Sequence, residues 1–241
     1  MVSNPAVQAW RIIDSVMTPE GLLELRQRGE RSCLITIGGR VLMTSDAHRS
    51  EDALAHLACA PLAGRGRPRV LLGGLGMGYT LRAALDALPA AAEVTVVDLN
   101  RVVVDWCRGP IAGLTGRAID DPRVKVLVAD VAEVIAGSPA ASVDAIVLDL
   151  YEGPHEATGR ASASLYGRAA LQRAWTALGP GGILAVWSEE PDRPFEERLA
   201  AAGFAVKRHR EGRGGRAHTI YVGVRPASPG AARRSPPRAR R

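Results

Sequence analysis

The sequence predicts an α/β protein in which a doubly wound parallel sheet follows a small antiparallel β-meander. Three observations support this prediction. Short apolar runs alternate with helical patterns along most of the chain, a glycine-rich turn follows the first of these runs, and shorter β-like runs precede it. Because 46% of the 241 residues are apolar, the chain can bury one sizeable core and a small appendage.

The first predicted unit covers residues 1–63 and contains a helix and the β-meander. Residues 1–17 are predicted to be helical, because Val7, Trp10 and Ile13 would lie on one side of such a helix. This helix would lead directly into the meander.

Three β-like runs make up the predicted meander: LLELRQR, SCLITI and RVLMT. Gly38-Gly39 separates the last two runs and suits a two-residue hairpin turn, because glycine accepts positive φ at both positions. A helix is then predicted over residues 50–61, with Ser50 as its N-cap and acidic residues in its first turn.

Residues 64–225 are predicted to form one α/β domain, because its apolar runs are typical of parallel strands buried on both faces. Leu81, Leu85 and Leu88 recur at helical spacing after the first strand and predict a helix there. The remaining residues, 226–241, are rich in Arg and Pro and are predicted to be disordered. The predicted parallel strands are RVLLGGL, EVTVVDL, RVKVLVAD, VDAIVLDL and GILAVWSEE. Two further helices are predicted, VVVDWC and LYGRAALQRAWTAL, and Gly-Pro-Gly-Gly ends the second. The segments FAVKRHR and HTIYVGVR are predicted to form a closing antiparallel pair.

The formal net charge of +6 is concentrated near the C-terminal end of the sequence. Five arginines lie in residues 226–241, which leaves 26 basic and 25 acidic residues in the rest of the chain. A domain that reads nucleic acid carries its basic surface on the fold, whereas this body is nearly neutral. The charge distribution therefore disfavours nucleic acid as a partner.

Cysteine usage and hydropathy indicate the compartment. Cys33, Cys59 and Cys107 lack metal-ligand spacing, so we expect small buried thiols in a reducing environment and no bound metal. No apolar run approaches the roughly 18 residues of a membrane span, and the N-terminal segment lacks the pattern of a secretory signal. A cytoplasmic protein without membrane contact is expected.

A glycine turn and three aspartates define the predicted ligand site. Gly74, Gly76 and Gly78 follow the first parallel strand, where a ligand can approach the backbone without meeting a Cβ. Three later strands each end in an aspartate: Asp98, Asp130 and Asp149. Since the carboxyl ends of parallel strands meet at one edge of a sheet, these residues are expected to share one crevice. The alternative is that each aspartate only caps the following helix.

The glycine turn favours S-adenosylmethionine over other nucleotide ligands. Its GLGMG spacing lacks both the GxGxxG of nicotinamide enzymes and the Lys-Ser/Thr of a P-loop. Asp98 follows Gly78 by 20 residues and can accept bonds from both ribose hydroxyls, while Asp130 can accept one from an adenine amino group. A Rossmann-like domain of the methyltransferase type is therefore expected.

The order of these motifs resembles the spermidine synthase-like family over roughly residues 20–190. The resemblance implies that Asp98 holds the donor ribose, Asp130 holds the adenine amino group, and the three glycines hold the methionine-derived part. It also implies that Asp149 orients and deprotonates the attacking group. The segments that carry it are RVLLGGLGMGYTLR, VTVVDLNRVVVDW, DPRVKVLVADV, VDAIVLDLYEGP and LGPGGILAVW.

Three departures from the family pattern bear on the reaction. Met77 stands where aminopropyl-transferring members have an aspartate that pairs with the donor ammonium. The family's Asp-Ser-Ser-Asp run reads Asp149-Leu150-Tyr151-Glu152, so its second carboxylate is a longer Glu. The family's Gln and His-Glu pair have no clear counterpart, because the stretch reads Ser50-Glu51-Asp52. Without the loop aspartate, ordinary S-adenosylmethionine is favoured as donor.

The expected function is methyl transfer from S-adenosylmethionine to a small-molecule acceptor, with Asp149 as base or orienting group and Glu152 assisting. Tyr151 could line the acceptor pocket or simply pack. The first alternative is polyamine aminopropyl transfer from decarboxylated S-adenosylmethionine, and the second is a non-catalytic sensor that keeps the nucleoside pocket. The resemblance also leaves open a homodimer formed through the meander.

The remaining histidines and tryptophans have simpler interpretations. His155 could act in acid–base chemistry or be a solvated loop residue, and His48 and His56 are expected to be structural. Three tryptophans are expected in the core: Trp106, Trp175 and Trp187.

Overall fold

The structure, a computed structural model, describes most of the chain and places it in two β-sheets with helices around the larger one. Some predictions fall on residues that the structure does not describe. These are the disorder of residues 228–241, the roles of Glu152 and His155, and the first seven residues of the N-terminal helix. The described ranges are 8–30, 32–151, 153–154, 165–212 and 217–227.

The smaller sheet contains four antiparallel strands in the order β1-β2-β3-β4 and confirms the predicted meander. Gly38 and Gly39 form the β3–β4 turn with φ of +53° and +81°, as the hairpin prediction requires. The predicted helix over residues 1–17 is wrong, since a strand begins at Arg11 and pairs with β2. Ile12, Ile13, Val16 and Thr18 are β-branched and favour an extended chain once β2 offers a partner. The strands are β1 (Arg11–Thr18), β2 (Gly21–Arg28), β3 (Ser32–Ile37) and β4 (Arg40–Thr44).

Helix α1 (Arg49–Cys59) links the two sheets, and its N-cap lies two residues before the predicted one. His48 is the N-cap residue, so the prediction of Ser50 in that position is wrong. Ser50 lies inside the helix with 6% of its surface exposed, and its hydroxyl bonds to side chains instead of capping the backbone.

The larger sheet has seven strands in the order β10-β11-β9-β8-β5-β6-β7 and confirms the predicted α/β fold. Neighbours from β9 to β7 are parallel, whereas β11 and β10 close the sheet in antiparallel orientation. The chain moves outward from β5 in one direction and then returns to place β8 on its other side, so a crevice opens between β5 and β8. The strands are β5 (Arg69–Gly73), β6 (Glu93–Asp98), β7 (Val124–Val128), β8 (Val143–Leu148), β9 (Leu178–Ser188), β10 (Ala205–Glu211) and β11 (His218–Val224). The helices are α2 (Tyr79–Ala87), α3 (Arg101–Arg108), α4 (Val131–Gly137), α5 (Arg168–Ala177) and α6 (Arg193–Ala201).

Two details of this domain differ from the predicted pattern. Strand β9 begins at Leu178 and runs through Gly-Pro-Gly-Gly, which was expected to separate a helix from a later strand. Helix α6 was not predicted, although Asp192 caps it by accepting a 2.9 Å bond from the Phe195 N–H and Pro194 lies in its first turn. These two residues were the sequence signal for that helix.

Apolar side chains fill both faces of the larger sheet. On one face the core joins the small sheet to α1, α2 and α3; on the other it contains α4, α5 and α6. Trp106 lies in the first core as predicted, and its indole N–H donates a 2.8 Å bond to Asp14 of β1. The small sheet is therefore fixed over the carboxyl edge of the larger one.

The three cysteines are all buried. Cys33, Cys59 and Cys107 are buried free thiols, and burial raises the pKa of the last two to about 12. Within the described residues, no helix is long and apolar enough to cross a membrane, and no three metal-ligating side chains cluster.

Candidate active site

A cavity of about 600 Å³ opens at the carboxyl edge of the parallel strands, where the chain reverses direction across the sheet. The strand ends and the glycine turn form one wall, and the small sheet with α1 forms the other. The two walls touch at the glycine turn, where the Met77 N–H donates to Met43 Sδ of β4 at 3.1 Å. The cavity thus lies where the fold predicts a ligand site.

The glycine turn approaches Asp149 too closely to carry a side chain. Gly74 has φ +88°, and a Cβ there would lie 2.1 Å from the Asp149 carbonyl oxygen. Gly74 and Gly76 line the cavity. Gly78 is set back from it, since its N–H donates to the Leu75 carbonyl at 2.7 Å and the residue begins α2. The turn therefore presents two of its three predicted glycines to a ligand.

Asp98 lies at the end of β6 with both carboxylate oxygens already oriented. Oδ2 accepts the Leu75 N–H at 2.9 Å, and Oδ1 accepts the Asn100 N–H at 2.8 Å. Burial raises the pKa of this carboxyl, while the backbone N–H bonds act to lower it. Asp98 thus fixes the glycine turn and still lines the cavity, where its remaining lone pairs can accept hydrogen bonds from a ligand.

Asp130 combines the two roles that the sequence left open. It caps α4, because Oδ1 accepts the Ala132 N–H at 2.8 Å, and it also lines the cavity. The residue is exposed, and Oδ2 takes no part in the cap bond. One oxygen therefore serves the helix and the other can accept a ligand hydrogen bond.

Asp149 follows β8 directly and differs from the other two aspartates in having a side-chain donor. The Thr80 hydroxyl, from the first turn of α2, donates to Asp149 Oδ2. Burial, and then the negative charge of Glu51, raise the pKa of the Asp149 carboxyl to about 7, although the Thr80 bond acts to lower it. A carboxylate with a pKa near neutrality is suited to take up and release a proton.

Glu51 is a cavity residue that the sequence reasoning missed. It lies in the first turn of α1, where acidic residues were attributed to the helix dipole. The sequence offered two signals for Glu51: its place at the start of the helix that follows the meander, and its position in the stretch where the resembling family has a Gln and a His-Glu pair. In the described part of the chain, the cavity lining includes five carboxylates and no lysine, arginine or histidine. The carboxylates belong to Glu20, Glu51, Asp98, Asp130 and Asp149. This site therefore favours cationic ligands.

Three aromatic residues also line the cavity, namely Tyr151, Tyr166 and Trp187. The Tyr151 hydroxyl accepts a 3.1 Å bond from Arg40 Nη1, and the Arg40 guanidinium lies 4.9 Å from the centre of the tyrosine ring. Trp187 lines the cavity too, so its assignment to the core alone was incomplete. Its buried indole N–H has no acceptor among the described residues. Glu152 would follow Tyr151 but lies outside the described residues.

Met77 does not face this cavity. Its side chain is 1% exposed and packs in the core beneath the glycine turn, and it is not among the lining residues. The side chain at this position therefore does not set the charge of the site. Glu51 brings a carboxylate to the cavity from the opposite wall.

Comparisons with known proteins place residues 48–198 in a family described as "Spermine/spermidine synthase domain". The polyamine aminopropyltransferase of Mycobacterium tuberculosis is 29% identical over 68% of this chain and 30% of its own length. That of Aeropyrum pernix is 31% identical over 66% of this chain and 49% of its own length. The chain thus spans half or less of these relatives. The crystal structure of spermidine synthase from Thermotoga maritima matches 92% of this chain and 75% of that chain, with a TM-score of 0.74 and 18% identity, which shows the shared fold.

These findings correct the expected reaction. Methyl transfer from ordinary S-adenosylmethionine is wrong as the main interpretation, because the matching family is described as a spermine/spermidine synthase domain and the relatives named above are polyamine aminopropyltransferases. The expectation depended on Met77 as a cavity residue without charge. Because Met77 is buried elsewhere and Glu51 supplies a carboxylate, its physical basis also fails.

Proposed function

Because this chain belongs to the spermine/spermidine synthase family, we propose that it transfers an aminopropyl group from decarboxylated S-adenosylmethionine to a polyamine or diamine. The observation that carries this proposal is the described cavity lining, which holds five carboxylates and no basic side chain. Both substrates are cationic, and burying an ammonium group is costly unless a carboxylate lies beside it. The aminopropyltransferase relatives support this reaction, and the Thermotoga maritima structure shares the fold.

The nucleoside part of the donor would lie along the glycine turn. Asp98 would accept the two ribose hydroxyls with its remaining lone pairs, and Asp130 Oδ2 would accept the adenine amino group. Gly74 and Gly76 would allow the sulfonium region to approach the backbone. Backbone bonds hold Asp98 in place before any ligand arrives, so little order must be gained on binding.

Asp149 would act as the general base. It would accept a proton from the attacking amine while a carbon–nitrogen bond forms and the carbon–sulfur bond of the sulfonium breaks. The electron pair of that bond remains on sulfur, which leaves methylthioadenosine as the nucleoside product. A base with a pKa of about 7 can hold this proton and later return it to water. Tyr151 and Trp187 would line the path of the acceptor, and Glu152 stays part of the proposal as a second carboxylate.

Product analysis tests this function directly. The protein is incubated with putrescine or spermidine and either donor, and the nucleoside and amine products are identified by mass spectrometry. We expect methylthioadenosine and an aminopropylated amine from decarboxylated S-adenosylmethionine. Formation of S-adenosylhomocysteine and a methylated amine, or no turnover with a panel of di- and triamines, would overturn the proposal.

A further inference from the structure

A chain of three side chains connects the cavity to the far strand β11. The Ser50 hydroxyl donates to Glu51 Oε2 at 2.6 Å, and Ser50 Oγ lies 3.0 Å from His218 Nδ1. The His218 ring packs on Trp187 with centroids 4.8 Å apart. Neither Ser50 nor His218 has a role in the reaction described above.

The polarity of this chain follows from the chemistry of its members. An ionised carboxylate only accepts hydrogen bonds, so the single hydroxyl proton of Ser50 points to Glu51. The Ser50 oxygen must then accept from His218, which places a proton on Nδ1. The two groups behind Glu51 are anchored, because Ser50 lies in a buried helix position and His218 lies in a strand.

This arrangement fixes one oxygen of Glu51 and leaves the other for a ligand. Oε2 is held by Ser50, while Oε1 has no partner within the described residues. Glu51 lies close enough to Asp149 for its charge to act on that carboxyl. Two carboxylates in one partly dehydrated cavity repel each other, and a cation between them removes the repulsion.

We propose that Glu51 is a specificity-determining residue that binds an alkylammonium group of a substrate beside Asp149, and that Ser50 and His218 are positioning residues for its carboxylate. This inference rests on the proposed function and names the site's cation-binding group. The alkylammonium can come from the aminopropyl arm of the donor or from the remote end of the acceptor. Both sources share the same chemistry, and separate binding measurements distinguish them.

The first test compares Glu51→Gln with Asp52→Asn. Both changes remove one negative charge from the first turn of α1, but Asp52 pairs with His48 at 2.8 Å and does not line the cavity. Calorimetry measures the affinity of each folded protein for decarboxylated S-adenosylmethionine, putrescine and methylthioadenosine. We expect Glu51→Gln to lower the affinity for one cationic ligand by about tenfold or more and to leave the affinity for methylthioadenosine unchanged. The Asp52→Asn protein should bind all three ligands as the wild type does.

The identity of the weakened ligand assigns the source of the ammonium group. If only the affinity for decarboxylated S-adenosylmethionine falls, Glu51 binds the donor arm. If only the affinity for putrescine falls, Glu51 binds the acceptor. Equal affinities of Glu51→Gln and wild type for both ligands would overturn the inference. Because these are binding measurements, they decide the role of Glu51 even if the wild-type protein makes no methylthioadenosine, a result that would refute the proposed function instead.

A second test addresses the positioning residues. Ser50→Ala and His218→Phe each remove one bond of the chain, and phenylalanine keeps a ring against Trp187. His218→Asn restores an N–H donor close to the position of Nδ1. We expect the first two variants to weaken the same ligand by about three- to tenfold and to raise its KM with little change in kcat, while His218→Asn recovers most of the affinity. If folded His218→Phe and His218→Asn bind that ligand equally well, the positioning role of His218 is wrong.

Discussion

The two walls of the cavity are stabilised in different ways. On the glycine-turn wall (Gly74, Gly76, Asp98, Asp130), each carboxylate accepts backbone N–H groups from the loop or helix that follows a strand. On the helix wall (Glu51, Tyr151, Trp187), side-chain contacts join distant segments. Ser50, which holds Glu51, contacts His218 of β11, Arg40 of β4 donates to Tyr151, and Trp187 packs on His218. The first wall is fixed by the backbone of one sheet edge, whereas the second depends on packing between distant parts of the chain.

Under the proposed function, this difference indicates that the two walls bind different parts of the substrates. A wall built from backbone bonds suits the nucleoside, which is common to many donors. A wall built from exchangeable side chains suits the ligand that varies, namely the amine. Asp149 lies between them, since Thr80 of the glycine-turn region donates to it and Glu51 of the helix wall acts on its charge. Substitutions on the two walls should therefore affect different kinetic constants.

The largest effect is expected at the residue that both walls share. Asp149→Asn keeps the size of the side chain and an oxygen that can accept the Thr80 bond, but it cannot take up the proton. We expect kcat to fall by about 10²- to 10⁴-fold, with donor affinity changed much less. Single-turnover formation of methylthioadenosine measures the first quantity and calorimetry the second. Asp105→Asn, which changes an exposed carboxylate paired with Arg101 on α3, is the matched control.

The raised pKa of Asp149 predicts that kcat/KM rises with pH while the stability of the folded protein falls. Since the base must be deprotonated, kcat/KM should rise with pH and level off above about 7. The folded pKa lies above the ordinary value of about 3.9, so the protonated form favours the folded state. The stabilising contribution of Asp149 is thus present at low pH and is lost as the pH rises toward 7. The Tm of the wild type should fall relative to that of Asp149→Asn between about pH 4 and 7, and parallel curves over that range would contradict the assigned pKa.

A smaller effect, confined to the donor, is expected at Asp98. Asp98→Ala removes a charged acceptor of the ribose hydroxyls, and hydrogen bonds to charged groups contribute about 1.5–3 kcal/mol each. We therefore expect donor affinity to fall by about tenfold to several hundredfold in calorimetric titration. Asp98→Asn should fall between Ala and wild type, because its oxygen can still accept the Leu75 N–H that holds the turn. Unchanged donor affinity in a folded Asp98→Ala protein would remove this residue from the site.

The two walls also differ in how far the sequence could predict them. Asp98, Asp130 and Asp149 each end an apolar run, so the rule that parallel strands end at one edge was enough to bring them to one cavity. Glu51 and His218 were not identified, because Ser50 and His218 are separated by 168 positions and no local pattern joins them. Their proximity depends on α1 packing across the sheet against β9 and β11.

Errors in the predicted fold have a related origin. The strand β1 was predicted as a helix because three apolar residues at helical spacing outweighed its β-branched residues, and its exposed surface gave no alternation to correct this. Pairing with β2 decides its structure, and that is a property of the folded chain. The parallel strands were predicted well because their burial on both faces leaves a continuous apolar run in the sequence.

Met77 offers a test of the glycine-turn wall itself. Because its side chain is buried among apolar groups, Met77→Asp would place an unpaired carboxylate in the core. Burying a neutral polar group without a hydrogen bond costs roughly 2–7 kcal/mol, and an ionised carboxylate costs more. The melting temperature should therefore drop by several degrees or more, with no gain in affinity for the donor. Met77→Leu is the control, since it keeps the packing volume. A stable Met77→Asp protein with tighter donor binding would show that position 77 reaches the cavity.

The smallest effect is expected where the small sheet touches the helix wall. Arg40 donates to the Tyr151 hydroxyl and lies 3.6 Å from Glu189, yet its side chain is 60% exposed, so these contacts contribute little each. Arg40→Gln should raise the KM of the amine about two- to fivefold through a less ordered Tyr151, and leave the donor affinity unchanged. Arg28→Gln is the matched control, because Arg28 is an arginine of the same sheet that packs on Trp10, away from the cavity. If Arg40→Gln weakened binding of the donor as much as binding of the amine, the small sheet would support both walls. The assignment of the two walls to different ligands would then be wrong.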